Sequence, residues 1–184
     1  MARLKPYPVT QLNEKQRELL MQNPRLAQRT EVNGPTLAMM LSPDFAQAAF
    51  PFGQFVQYKT PFASKLRELV ILVIARAWSC EFVWFAHARD AIREGISAQN
   101  VEAIRTHQKP NFELEDERLF YEITVALQTD KKIPDALYER AVEQIGQDGL
   151  FQLIGLVGYY TFVSMVANGF ELEAPTGNPK QLTN

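Results

Sequence analysis

The run from Gly149 to Phe170 contains no charged residue, and that limits the folds open to this chain more than any other feature. Its apolar residues, among them Leu150, Phe151, Leu153, Ile154, Leu156 and Val157, point to every side of a helix. A helix apolar all round must be covered by something. The run is long enough in principle to cross a bilayer. Yet Gln152, Thr161, Ser164 and Asn168 interrupt it, Gly155 and Gly158 thin it, and its flanks carry acidic Asp148, Glu171 and Glu173 with no Lys or Arg anchor. We therefore expect a helix in a protein core or subunit interface and no membrane. One bundle core covers only part of that circumference, and the remainder would form an apolar patch of the kind that marks an interface.

The rest of the chain also reads as helix. No segment shows sustained alternation with β-branched enrichment, whereas six to eight segments recur at helical spacing with start or stop signals, so the expected fold class is all-α. Helical segments are expected at Leu12–Met21, Thr36–Leu41, Asp44–Lys59, Pro61–Trp78, Ser79–Glu94, Ala98–Arg105 and Asp116–Leu127, then from Pro134 to about Gly146. Pro51 and Gly53 should kink or divide the third of these. Its aromatics Phe45, Phe50, Phe52, Phe55 and Tyr58 are read as core packing. At 184 residues and 46% hydrophobic content we expect one domain: an arm over 1–34, a helical domain over 35–170 and a tail over 171–184.

Charge and cysteine usage narrow the function classes. Nineteen basic against twenty-one acidic residues give a net charge of −2, with no footprint for nucleic acid. One cysteine excludes an internal disulfide and a cysteine-based zinc site. Met1–Thr10 lacks the apolar core of a secretory signal, so the expected address is the cytoplasm. No Gly-rich phosphate loop follows a strand.

Chemistry concentrates between Leu66 and Gly95, which holds that cysteine, both tryptophans and one of two histidines. Glu68 sits among Leu66, Leu69, Val70, Val73 and Ile74 on the first helix, where an unpaired carboxylate would be costly. Arg67 or Arg76 could pair with it structurally; the alternative is a carboxyl group that exchanges protons. Ser79 can cap a second helix ended by Gly95, with Cys80, Val83, Trp84 and His87 on one face. A short link folds the two helices together and can set Glu68 against Cys80 and His87. Cys80 and His87, two turns apart, cannot bond each other directly. The other histidine, His107, reads as a surface residue.

The spacing of Glu68, Cys80 twelve residues on and His87 seven further, within LRELVIL, SCEFVWFAH and GIS, resembles the carboxymuconolactone decarboxylase and alkylhydroperoxidase D (AhpD-like) superfamily. The likeness is strongest from Leu66 to Ile104. The peroxidase branch pairs the Glu with Cys-x-x-Cys and a His four residues after the second cysteine, a position held here by Val83. The decarboxylase branch resembles the chain at Cys80, Trp84 and His87, but usually carries Glu where Val83 stands. The resemblance implies a helical bundle assembled as a trimer or hexamer and needing no cofactor or metal. It also implies Glu68, Cys80 and His87 as catalytic residues, with Trp84 and Val83 against substrate. The expected function is proton transfer by Glu68 and His87 on a small organic acid or lactone. The alternatives are a peroxidase using Cys80, which lacks a resolving thiol, and a helical assembly protein without chemistry.

Overall fold

The structure, a computed structural model, describes residues 3–22, 24–174 and 181–182. It is the all-α bundle expected, in the order α1 (Glu14–Met21), α2 (Pro24–Ala27), α3 (Gly34–Met40), α4 (Pro43–Tyr58), α5 (Ser64–Ala77), α6 (Glu81–Arg93), α7 (Ala98–Arg105), α8 (Glu115–Thr129) and α9 (Asp135–Gly169). Two strands of two residues, β1 (Tyr7–Pro8) and β2 (Glu31–Val32), pair antiparallel, too short to leave alternation in the sequence. Most of the expected tail lies outside the described residues.

At the centre is α5, packed by α6, α8 and α9. Every residue from Leu69 to Arg76 is buried, so α5 is covered all round rather than along one stripe. It begins at Ser64, so Thr60 and Pro61 belong to the turn before it. On α8, Leu119, Phe120 and Ile123 are fully buried against this centre, and the Phe120 ring meets Phe62 edge-on. Leu19 and Leu20 of α1 are also buried, so the amino-terminal arm is packed down; Asn13 and Gln16 form a reciprocal capping box at its start.

The helix expected to be apolar all round is α9, and the bundle covers half of its most apolar stretch. Leu150, Leu153, Leu156, Tyr160 and Val163 face inward, while Phe151 (74% exposed), Met165 (52%) and Ile154 (40%) face out. Gly146, at φ 69°, breaks α9 where the sequence predicts a boundary.

Two expectations about α4 are corrected. The helix runs unbroken through Pro51 and Gly53. Of its five aromatics only Phe50 packs against the core: Phe45, Phe52, Phe55 and Tyr58 are exposed, because Ala46, Gly53 and Val56 form the buried face. Gly53 is required there, since a Cβ would overlap the Tyr159 hydroxyl.

Candidate functional site

The site is set by the turn between α5 and α6. Trp78 ends α5, Ser79 takes a left-handed conformation (φ 45°), and the Cys80 amide donates to the Ala75 carbonyl at 2.7 Å, which closes the helix in a Schellman turn. Ser79 is therefore the reversing residue and not the cap expected from sequence; Cys80 occupies the cap position and α6 starts at Glu81. The Arg76 guanidinium donates to Ser79 Oγ (3.2 Å), and Asn168 on α9 donates to the Trp78 carbonyl (2.7 Å). The other end of α6 follows expectation, with Gly95 at φ 109° and the Ile96 amide donating to Ala91.

This reversal brings Glu68 and His87 together. His87 Nδ1 lies 2.8 Å from Glu68 Oε2, with both side chains about one-fifth exposed. The carboxylate is satisfied by the imidazole. Arg67 donates instead to the Phe62 carbonyl and to Ser64 Oγ (2.9 Å). With Glu68 ionised, Nδ1 carries the hydrogen and donates it, which fixes the ring and leaves Nε2 as the nitrogen for a ligand. The Tyr160 ring meets His87 edge-on, with centroids 5.4 Å apart. Burial, and next the charge of Glu68, push the Tyr160 phenol well above its ordinary value, so it stays protonated; burial takes Tyr159 to about 12.

His87 opens onto a cavity of about 280 Å³. Val83, Phe82 and Ala86 of α6 form one wall, Phe50 and Tyr58 of α4 another, and Tyr159, Tyr160 and Val163 of α9 the back. Leu26, Arg29, Pro35, Thr36 and Met39 line a further side, and the cavity stays half open. Of the residues singled out from sequence, His87 and Val83 line this space and Glu68 stands behind His87. Cys80 and Trp84 are not in its lining. Cys80 is fully buried; burial raises its thiol above the ordinary 9.0, opposed by the Val83 and Phe82 amides and the Ser164 hydroxyl. Trp84 is buried, its Nε1 donates to Gln181 (3.1 Å), and it lines a separate groove that meets the cavity at Ala86. Glu81 is engaged there too, accepting from the Gln181 and Leu182 amides. His107 is exposed, as expected.

Sequence reasoning passed over the tyrosines. Tyr159 and Tyr160 counted as two more apolar residues of the long run, although paired phenols in an uncharged buried helix are themselves a signal, because each hydroxyl needs somewhere polar to point. Tyr58 was assigned to the core. Among the described residues no group of three or more His, Cys, Asp or Glu side chains could hold a metal ion.

A profile of the carboxymuconolactone decarboxylase family matches residues 43–117, the segment that carries Glu68, Cys80, Val83 and His87. The fold is similar to that of an uncharacterised peroxidase-related protein from Ralstonia eutropha with an alkylhydroperoxidase AhpD core (TM-score 0.75, 13% identity, 95% of this chain and 93% of that one). It is also similar to a protein of unknown function from Agrobacterium tumefaciens, provisionally assigned to antioxidant defence as AhpD (0.65, 18%, 75% and 95%). A third is an uncharacterised peroxidase-related protein from Silicibacter (0.64, 12%, 77% and 75%). No curated protein matches the sequence.

Proposed function

We propose that the chain, whose residues 43–117 match the carboxymuconolactone decarboxylase family and whose fold is similar to that of AhpD-like proteins, is an enzyme of acid–base chemistry acting on a small organic acid or lactone. The observation that carries this reading is the 2.8 Å contact of Glu68 with His87 at the wall of a half-open cavity with a mixed polar and aromatic lining. A carboxylate on Nδ1 stabilises the imidazolium that forms when Nε2 takes a proton, so one ring can accept and return a proton. In decarboxylation, loss of carbon dioxide leaves the bonding electron pair on the organic fragment. A proton from Nε2–H quenches that pair, and Glu68 holds the ring in place. Val83 contributes apolar wall. Trp84, outside the cavity lining, has no place against substrate in this reading, and Cys80 supports the helix start without touching the reacting atoms.

The peroxidase alternative is disfavoured by the same thiol. It is fully buried, lies outside the cavity lining and is held protonated by burial, whereas a reactive cysteine needs access and thiolate character. We further propose a cytoplasmic homo-oligomer. The outward residues of α9, with exposed Phe45 and Phe52 on the adjoining α4, form the apolar face that a second copy would cover. The test of activity is carbon dioxide release from a panel of lactone acids beside peroxide consumption with a thiol donor. Release abolished by His87→Ala supports the reading; thiol-dependent peroxide turnover without release overturns it.

A further inference from the structure

Among the described residues, the cavity is lined by one side chain besides His87 that is able to carry positive charge, and it comes from outside the segment matched by the family profile. Arg29 lies in the stretch between α2 and β2, and no carboxylate of the described residues is in the lining with it. Among the described residues no carboxylate lies within ion-pair distance of Arg29 either. Its Nη1 is 3.4 Å from the Asn33 side-chain oxygen, a weak hold at the entrance to α3. That entrance is itself docked: Gly34, at φ +61°, lies so close to the Phe82 ring of α6 that a Cβ would overlap it. The arginine thus belongs to a segment seated on the helix that carries His87. The same lining holds five rings, Phe50, Tyr58, Phe82, Tyr159 and Tyr160, beside the polar Thr36, Gln54 and Gln57.

A guanidinium and a histidine nitrogen in one lining with five aromatic rings suit a small acid with a flat body. Guanidinium geometry matches a carboxylate in a two-bond fork. We propose that Arg29 is a specificity-determining residue that binds the carboxylate of a monoanionic ring-bearing acid, with the remainder of the molecule lying toward His87 Nε2. A space of about 280 Å³ has room for a single substituted ring. The assignment rests on the acid–base reading only for its direction, since the anion contact itself requires no turnover.

The experiment uses the full chain with two probes of nearly equal shape, benzoate and benzamide, titrated by calorimetry into wild type, Arg29→Met, Arg29→Lys and His87→Ala. Arg29 is exposed, so its variants should keep wild-type circular dichroism. Wild type should prefer benzoate. Arg29→Met should lose about 10- to 100-fold of the benzoate affinity, the worth of one charge-assisted contact, with benzamide unchanged. Arg29→Lys should recover part of the loss. Equal benzoate affinity in wild type and Arg29→Met overturns the proposal, as does failure of wild type to bind benzoate more tightly than benzamide. Failure of the acid–base reading would look different: His87→Ala would turn over substrate normally while benzoate binding still depended on Arg29.

Discussion

Cys80 separates thiol chemistry from proton transfer, and its reactivity follows from where it lies. No part of the residue is exposed, and burial raises the thiol above its ordinary 9.0. Only the thiolate attacks a disulfide or a peroxide. Even at the ordinary value about 1% of thiols are ionised at pH 7, and the raised value lowers that fraction. A reagent must also wait for the α5–α6 turn to open. An opening that costs about 3 kcal/mol, modest for a packed helix junction, leaves roughly one molecule in 150 reactive at any moment. Reaction with an aromatic disulfide reagent at neutral pH should therefore run at least about 100-fold slower in the native protein than in guanidinium. Peroxide should be consumed at most stoichiometrically, since no second thiol exists to close a cycle. Stability against pH gives an independent check. As pH rises through 9.0 the unfolded thiol ionises first while the folded one keeps its proton. The contribution is thus intact below about 9 and is lost as pH climbs through the higher folded value, by no more than about 1.4 kcal/mol per pH unit. Cys80→Ala should flatten that decline between about pH 9 and 10, before the buried tyrosines take part. Native Cys80 reacting within about tenfold of the unfolded chain would refute the argument, as would sustained peroxide turnover with dithiothreitol that Cys80→Ser abolishes.

Other outcomes follow from the same geometry. His87→Ala and Glu68→Gln should each lower turnover by about 10²- to 10⁴-fold with helix content unchanged by circular dichroism; near-normal turnover in either removes that residue from the proton-transfer assignment. Gly34→Ala combines a left-handed backbone with overlap on the Phe82 ring and should destabilise by about 1–3 kcal/mol in a denaturant titration, with weaker binding in the cavity beside it. His107 is exposed and held at φ 57°, so His107→Gly should be neutral or stabilising by up to about 1 kcal/mol. Light scattering at low micromolar concentration should give a trimer or hexamer, and Phe151→Glu should shift it toward smaller species; a monomer without detergent defeats the interface reading.

How much of this was legible in the residues depends on which interactions are local. Helical period and caps are local, so α7 with its Ser97 cap, the Gly95 stop and the break at Gly146 stand where the sequence puts them. Which helix sits in the middle is not local. The uncharged run marks α9 as needing cover, and the Glu68 helix is expected to be largely buried. That Leu69–Arg76 of α5 is the stretch covered on every side depends on how α6, α8 and α9 pack, with Glu68 and Arg76 accommodated by His87 and Ser79. Most aromatics of α4 mislead: hydrophobic residue type says core, whereas the buried stripe is built from the small Ala46 and Gly53 together with Val56, which let α9 approach.

The Glu68–His87 contact was readable as a possibility and no further, because it depends on a turn that the sequence disguises. Successive residues of a helix point about 100° apart, so placing the start of α6 one residue early changes which side chains are taken to meet α5. Glycine is the usual residue at a left-handed helix stop, and serine there costs about 1 kcal/mol more. Ser79 therefore reads as a cap. Its hydroxyl accepts from Arg76, a hydrogen bond worth a similar amount, which offsets the strain and ties the reversal to the buried end of α5. Glycine would make the turn cheaper and leave that tie unmade, and the position of His87 against Glu68 would then rest on packing alone.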